Sequence, residues 1–177
     1  MKNDDVAFQE AIGPLRYLTA NVYKGELLVH IREYKELDGL VLPTRKGICF
    51  SPKRWELFRG CLEDVSQQVE SMKLNQPVDF SKHLGAKHFV VVRSGVRCVN
   101  LRRFTVPPNT TKKVPTRIGI SLRLGEWNVL MDKIGLLYDK FPEVRTVKPC
   151  YTDDSHMHMD VYQNCSECCP KKLYGIE

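Results

Sequence analysis

An internal repeat restricts this chain to a duplicated architecture. Four apolar positions of the first half return 72 residues later: Trp55, Phe58, Leu62 and Val65 correspond to Trp127, Leu130, Ile134 and Leu137. Upstream the offset is 70, as between Ile31 and Leu101, because the loop before Pro115 is two residues longer than the loop before Pro43. Insertions that are confined to loops are typical of two copies of one folded unit.

The repeat divides the 177 residues into two units and a tail. We assign residues 8–72 to the first unit, residues 82–145 to the second and residues 146–177 to the tail. Residues 1–10 are predicted to form a short polar lead-in. A unit of roughly sixty-five residues has a marginal hydrophobic core of its own. We therefore expect the two units to pack on each other.

Residues 27–35 show the alternation of a β-strand with two unlike faces. One face is apolar and the other is basic or aromatic: Leu27, Val29 and Ile31 against His30, Arg32 and Tyr34. The second copy keeps this alternation. The pattern indicates an antiparallel sheet that is solvated on one side.

A helix is predicted to follow each sheet. In the first unit Ser51 has the character of an N-cap, and Pro52 suits the first helical position. An apolar stripe at helical spacing comes next: Trp55, Phe58, Leu62, Val65 and Val69. We expect this stripe to cover the apolar sheet face, which predicts an α+β fold.

The net charge of +6 is unevenly distributed along the chain. Residues 81–149 contain 14 Lys and Arg against 4 Asp and Glu, a balance of +10. Residues 1–80 have a balance of −1 and residues 150–177 a balance of −3. A basic surface can serve solubility alone, but one this concentrated favours a polyanionic partner, most simply nucleic acid.

Single-stranded nucleic acid binds where aromatic rings stack on bases and cations follow the phosphates. The first unit supplies both kinds of group: Tyr23, Lys24, Arg32, Tyr34, Arg45 and Lys46. A structural alternative is that the tyrosines cover the sheet edge and that Arg32 pairs with a carboxylate. The positions of Arg32 and Arg45 hold arginine again in the second unit, as Arg102 and Arg117, which favours binding.

Several short motifs of the first unit occur together in a fixed order: Tyr23-Lys24-Gly25, Ile31-Arg32-Glu33-Tyr34, Arg45-Lys46-Gly47-Ile48 and Ser51-Pro52-x-x-Trp55. This string resembles the core domain of the positive cofactor four family of transcriptional coactivators over residues 12–70. Residues 83–141 resemble a second, more divergent member. The resemblance implies a curved four-stranded antiparallel sheet followed by a helix, dimerisation through the helix, and single-stranded or unwound DNA held on the sheet.

The resemblance also implies roles for individual residues. Tyr23 matches an aromatic residue that stacks on a base, and Lys24, Arg45 and Lys46 match cations that contact the DNA backbone. Members of the family assist transcription by RNA polymerase II in the nucleus. A nuclear location, with DNA and proteins of the transcription machinery as partners, is therefore implied.

The chain departs from the family pattern in both units. Lys35 stands where the family commonly has a tryptophan, which removes a stacking platform. In the second unit Arg93 replaces the aromatic residue at position 23, and Ile118 replaces Lys46. We expect this unit to hold phosphates through cations instead: Arg93, Arg102, Arg103, Lys112, Lys113 and Arg117.

A covalent tandem changes how such a family member would assemble. The first copy can pair with the second copy of the same chain, because the linker raises their effective concentration. We therefore expect an intramolecular pseudo-dimer that is monomeric in solution.

The tail concentrates metal-ligating side chains within twenty residues. Cys165-x-x-Cys168 has the spacing of half a zinc knuckle, and the remaining ligands would come from upstream. The candidate zinc ligands are Cys150, His156, His158, Cys165 and Cys168. The alternative is a disordered or partly packed tail with reduced thiols. The odd number of cysteines, seven, favours a reducing, soluble compartment without structural disulfides.

The predicted function is non-enzymatic. The sequence contains no nucleophile elbow, no glycine-rich phosphate loop and no convincing carboxylate pair, and no cofactor is expected beyond the candidate zinc. No apolar run approaches the ~20 residues of a membrane span. We predict single-stranded DNA binding by a transcriptional coactivator. The alternatives are a protein-interaction adaptor with weak nucleic-acid binding, and an RNA-binding protein, since exposed rings do not exclude a 2′-hydroxyl.

Overall fold

Two four-stranded antiparallel sheets form the body of the protein, and the strands of each sheet lie in chain order. The computed structural model describes residues 6–174. The first sheet consists of β1 (Val6–Gly13), β2 (Arg16–Tyr23), β3 (Glu26–Leu37) and β4 (Leu40–Phe50). The second consists of β5 (Asp79–His83), β6 (His88–Arg93), β7 (Val96–Thr105) and β8 (Val114–Arg123). The predicted α+β fold with two repeats is confirmed.

Helices follow both sheets. These are α1 (Pro52–Arg59) and α2 (Leu62–Lys73) in the first unit and α3 (Leu124–Lys140) in the second. The tail contains 3-10 helices at Pro142–Thr146, Cys150–Thr152 and Asp154–Met157, then α4 (Met159–Asn164) and α5 (Lys171–Tyr174). Residues 175–177 of the predicted tail lie outside the described residues. Within the described part, no helix has both the length and the apolar character needed to cross a membrane.

The single helix predicted for the first unit is wrong, because it is interrupted at Gly60 and Cys61. The apolar stripe continues through the interruption and is buried throughout: Trp55, Phe58, Leu62, Val65 and Val69. Glycine is a poor helix former, so the helix ends there without exposing an apolar side chain. Periodicity alone does not reveal such a break, since the spacing of buried residues is preserved across it.

The polar lead-in predicted for residues 1–10 is also wrong for residues 6–10, which belong to β1. Phe8 and Ile12 of this strand are buried in the core. Between them Glu10 forms an ion pair with Lys133 of α3, at 2.9 Å between Oε2 and Nζ. The Glu10 carboxylate interrupts the apolar side of the alternation along β1, and its partner Lys133 lies in the other unit. The sequence pattern of β1 is therefore weak.

The same hydrogen bonds occur at equivalent positions of the two units. Arg32 donates from Nη1 to the carbonyl of Thr44 at 2.8 Å, and Arg102 donates to the carbonyl of Thr116 at 2.8 Å. Arg32 lies opposite Gly47 and Arg102 lies opposite Gly119 in the sheet register. A β-carbon on Gly47 would lie 2.8 Å from Arg32 Cγ, so glycine is needed for this close approach.

The two units share one hydrophobic core. Helix α2 packs against β6 and β7 of the second sheet, and α3 packs against β1 of the first. The indole N–H groups also cross between the units. Trp55 donates to the hydroxyl of Tyr138 at 2.9 Å, and Trp127 donates to the hydroxyl of Ser66 at 3.1 Å. The predicted packing as an intramolecular pseudo-dimer is confirmed.

A buried carboxylate joins the two units at their polar boundary. Glu126 of α3 accepts hydrogen bonds from the Arg16 guanidinium and from the backbone N–H of Arg123, both at 2.8 Å. Arg16 also pairs with Glu33 of β3 at 3.1 Å. The charge of Glu126 is thus compensated by hydrogen bonds as well as by a cation, which a buried ion requires.

Candidate nucleic-acid interface

The first sheet has one face in the shared core and one face turned away from it. Leu18, Ala20, Val29 and Ile31 of the central strands are buried in the core. Alternation places the intervening side chains on the opposite side, which we call the first outer face. Its residues on β2 and β3 are Tyr17, Thr19, Asn21, Tyr23, Glu26, Leu28, His30, Arg32 and Tyr34.

Aromatic rings lie at both ends of the first outer face. Tyr17 and Tyr34 form an edge-to-face pair with ring centroids 5.1 Å apart. At the other end Tyr23 is 50% exposed, and Lys24 Nζ lies 5.4 Å from its ring centroid. The predicted turn after Tyr23 is present, because Lys24 and Gly25 both have positive φ angles and connect β2 to β3.

Arg32 lies directly opposite Tyr17 in the sheet register, beside the first of these groups of rings. Nη1 of Arg32 donates a hydrogen bond to the Thr44 carbonyl. This contact fixes the guanidinium while leaving its other N–H donors for a ligand. Among the described residues its side chain forms no ion pair with a carboxylate. Arg45 is exposed on β4. Tyr23, Lys24, Arg32, Tyr34 and Arg45 are therefore compatible with one continuous binding surface.

Lys46 differs from the other residues that we predicted for binding. Its Nζ lies 3.0 Å from Glu33 Oε1. Glu33 alternates with Arg32 and Tyr34 along β3, so it belongs to the opposite side of the sheet. The hydrogen bond from Lys46, together with that from Arg16, lowers the pKa of Glu33 despite the desolvation of its carboxyl group. Lys46 thus belongs to the ion network between the units.

His30 also belongs to the first outer face, on which its alternation with Arg32 and Tyr34 placed it, but it was not among the residues predicted for binding. Its Nε2 lies 2.7 Å from Asn21 Oδ1, which assigns the proton to that nitrogen. Burial, and then the nearby Arg32, lowers the pKa of His30 to about 4. The ring is therefore neutral at physiological pH and adds no charge to the surface.

Because the pKa of His30 is lowered in the folded chain, acidification should reduce the stability of the fold. The pKa of His30 is about 4 in the folded chain against an ordinary value of 6.5, so the unfolded chain takes up the proton first as the pH falls. The contribution of His30 to the free energy of unfolding is therefore complete above about pH 6.5, and it declines as the pH falls towards 4. Lowering the pH from about 7.5 to about 5.5 should reduce the free energy of unfolding of the wild type and of a His30→Gln variant. The reduction should be about 1 kcal/mol smaller in the variant, because glutamine takes up no proton. Urea denaturation at both pH values measures this, and equal losses would contradict the assignment.

The second sheet has an equivalent outer face, but other parts of the chain cover it. Phe89 and Phe104 form an edge-to-face pair with centroids 5.2 Å apart, like Tyr17 and Tyr34 in the first sheet. Leu173 of α5 is buried against this pair and against Val91. Lys113 Nζ lies 3.9 Å from the centroid of Phe89, and burial lowers the pKa of this lysine. The rings of Phe89 and Phe104 are therefore not available for stacking on a base.

The cations predicted for the second unit have different environments. Arg93 pairs with Asp79 at 2.9 Å, and Arg102 bonds to the Thr116 carbonyl on the outer face. Arg103 alternates to the other side of β7. Lys112 and Arg117 are exposed. Together these residues contribute positive charge to the second unit.

The structure brings four of the five candidate metal ligands together. The ligand atoms of Cys150, His156, Cys165 and Cys168 lie within 4.8 Å of one another. The fifth candidate, His158, is exposed at the beginning of α4 and is not part of this group.

Comparison with known proteins yields a family model and several relatives. A family model described as Transcriptional Coactivator p15 (PC4) matches residues 11–60. The RNA polymerase II transcriptional coactivator KELP of Arabidopsis thaliana is 38% identical over 58 residues, which are 33% of this chain and 35% of that protein. The RNA polymerase II transcriptional coactivator of Drosophila melanogaster is 33% identical over 57 residues, covering 32% of this chain and 52% of the relative.

A putative RNA polymerase II transcriptional coactivator of Caenorhabditis elegans is 33% identical over 70 residues, covering 38% of this chain and 56% of that protein. The chain thus spans between about a third and just over half of the length of these relatives. The matched residues include the turn at Lys24, the arginine at position 32 and the ring of Tyr34. Over residues 11–60 the first unit is thus similar to the transcriptional coactivator p15 (PC4) family.

Proposed function

We propose that this chain binds single-stranded or locally unwound DNA on the first outer face and acts as a non-enzymatic coactivator of RNA polymerase II transcription in the nucleus. The similarity of the first unit to transcriptional coactivators supports the functional class and the location. The observation that carries the DNA proposal is the first outer face itself. It combines the exposed ring of Tyr23 with the cations Lys24, Arg32 and Arg45 and with a second pair of rings.

The dimensions of the surface suit a single strand. Tyr23 is opposite Glu26 in the sheet register, and Tyr34 lies eight residues further along β3. At about 3.3 Å per residue, the two ends of the face are about 26 Å apart, which is enough for several nucleotides. Stacking accepts any base, since every base has a π-face, so the proposed binding has little sequence preference.

The second unit has a supporting role in this proposal. Its outer-face rings are covered, but its excess of Lys and Arg supplies long-range attraction for a polyanion. The surfaces through which two copies of such a unit would pair are already buried in the shared core. We therefore propose that the chain acts as a monomeric pseudo-dimer with one open face.

A titration with three ligands tests the proposal. Labelled oligo-dT, oligo-U and a duplex of equal length are titrated at two or more salt concentrations. Oligo-dT should bind most tightly, and its affinity should fall with salt, because three to five phosphate contacts give a log–log slope of about −2 to −3.5 for a single strand.

Two outcomes would contradict this proposal. Negligible binding to all three ligands would favour a protein-interaction adaptor, which keeps the fold without the nucleic-acid site. Tighter binding to oligo-U than to oligo-dT would favour an RNA-binding protein.

A further inference from the structure

The Cys and His residues of the tail have the separations of a metal coordination sphere. Cys150 Sγ lies 3.6 Å from Cys165 Sγ and 3.6 Å from His156 Nδ1. His156 Nδ1 lies 3.2 Å from Cys168 Sγ. All four ligand atoms lie within 4.8 Å of one another.

Tetrahedral zinc requires separations of this size. With Zn–S at about 2.3 Å and Zn–N at about 2.0–2.1 Å, two sulfurs of one site are about 3.8 Å apart and a sulfur and a nitrogen are about 3.5 Å apart. A disulfide would instead need two sulfurs at about 2.05 Å. The observed distances fit a shared cation better than a covalent bond between any two of the thiols.

The chain around these residues is built into the body of the protein. Cys165 and Cys168 form a tight turn, in which the N–H of Cys169 donates to the carbonyl of Cys165 at 2.9 Å. Glu167, inside this turn, accepts a hydrogen bond from Arg54 Nε of α1 at 2.8 Å. The carbonyl of Glu167 accepts the N–H of Ala86, in the turn before β6, at 2.7 Å. The turn is thus attached to both units.

We propose that Cys150, His156, Cys165 and Cys168 bind one zinc ion as a structural site. Three thiolates and one imidazole occupy all four tetrahedral positions, which leaves no open position for catalysis. Zinc binding would displace the thiol protons and would link the two distant parts of the tail. The ligands are separated by five, eight and two residues along the chain, so the ion closes the entire segment 150–168 into a compact unit.

The site has a consequence for the second outer face. Leu173 follows Cys168 by five residues and is buried against Phe89 and Phe104. A zinc ion that fixes residues 150–168 to α1 and to the turn before β6 therefore also holds α5 on the second sheet. Without the ion, the end of the tail would keep this position through other contacts, among them those of Leu173 and the hydrogen bonds of Glu167.

Native mass spectrometry of the full chain, produced with zinc supplied and thiols reduced, tests the proposal. The wild type should contain one zinc ion per chain. The His156→Ala and Cys168→Ser variants should contain almost none, because each loses a ligand. The His158→Ala variant is the matched control and should keep its zinc, since His158 lies outside the group. Replacement of zinc by Co²⁺ should give the visible absorption bands of tetrahedral thiolate coordination in the wild type and in His158→Ala only.

The opposite results would overturn the proposal. A metal-free mass for the reduced wild type would do so, as would loss of zinc in His158→Ala with retention in His156→Ala. A mass lower by two hydrogens, restored by reduction and independent of zinc, would assign a disulfide instead. The ligands lie outside the shared core, so near-ultraviolet circular dichroism that matches the wild type verifies that each variant is folded.

Discussion

Replacement of Trp127 by alanine is expected to lower the free energy of unfolding of the whole chain by about 3–5 kcal/mol, the usual range for a large aromatic residue in a core. The side chain is 1% exposed. It packs against Phe58 of α1, with ring centroids 6.0 Å apart, and donates to Ser66 of α2. Because both partners belong to the first unit, the loss should destabilise both units together.

The protein contains two tryptophans, so the variant keeps Trp55 as its single fluorophore of this type. Trp55 lies in the first unit, whereas the mutation lies in the second. Urea denaturation followed by Trp55 fluorescence should therefore shift to lower denaturant concentration and should coincide with the transition measured by circular dichroism. Light scattering beforehand should give the mass of one chain, which excludes an effect of subunit dissociation.

Val129→Ala provides the control for this experiment. Val129 is on the same helix, two residues from Trp127, and is 38% exposed. Its replacement should change the free energy of unfolding by no more than about 0.5 kcal/mol. If Trp127→Ala left the Trp55 transition unchanged while circular dichroism showed a separate, earlier transition, the two units would unfold independently and the shared core would not couple them.

Replacement of Tyr23 by alanine is expected to raise the dissociation constant for oligo-dT by roughly 5- to 150-fold, which corresponds to the 1–3 kcal/mol of one stacked base. The ring is half exposed at the end of β2 and belongs to the first outer face. Its removal should leave the fold intact, because the core residues of β2 are Leu18 and Ala20. Fluorescence anisotropy with labelled oligo-dT at constant salt measures the change.

Val22→Ala is the matched control, since Val22 is 55% exposed and alternates to the other side of β2. The Val22→Ala variant should bind oligo-dT with the same dissociation constant as the wild type. The loss in Tyr23→Ala should be larger for the single strand than for a duplex, because paired bases are not free to stack on the ring. An equal loss for both ligands would indicate that Tyr23 contributes only to electrostatic or structural effects.

Features that depend on local sequence could be predicted well. The repeat offsets identified Trp55 and Trp127 as equivalent core residues, and the alternation of β3 separated its buried face from its outer face. The turn at Lys24 and Gly25 was also recognisable, because it connects two strands that are adjacent in sequence. In each of these cases the determining contacts lie within a few residues, so the pattern itself contains the information.

Features that depend on distant contacts were missed. The partner of Glu10 is Lys133 in the other unit, and without it the strand β1 looks like a polar segment. The pairing of Lys46 with Glu33 depends on a register that only the folded sheet defines. Likewise, no local pattern shows that Leu173 covers Phe89. For the tail, spacing does not separate His156 from His158, because both lie close enough in sequence to reach the cysteines.

The unequal exposure of the two outer faces removes the two-fold symmetry that a pair of identical subunits would have. On a symmetric pair, a strand meets the same groups whether it runs in one direction or the other. Here the first outer face carries the exposed ring of Tyr23 and the half-buried ring of Tyr34, whereas the second carries the covered Phe89 and Phe104. The molecule therefore has a polarity, and under the proposed function we expect a single strand on the first outer face to bind in one preferred 5′-to-3′ orientation.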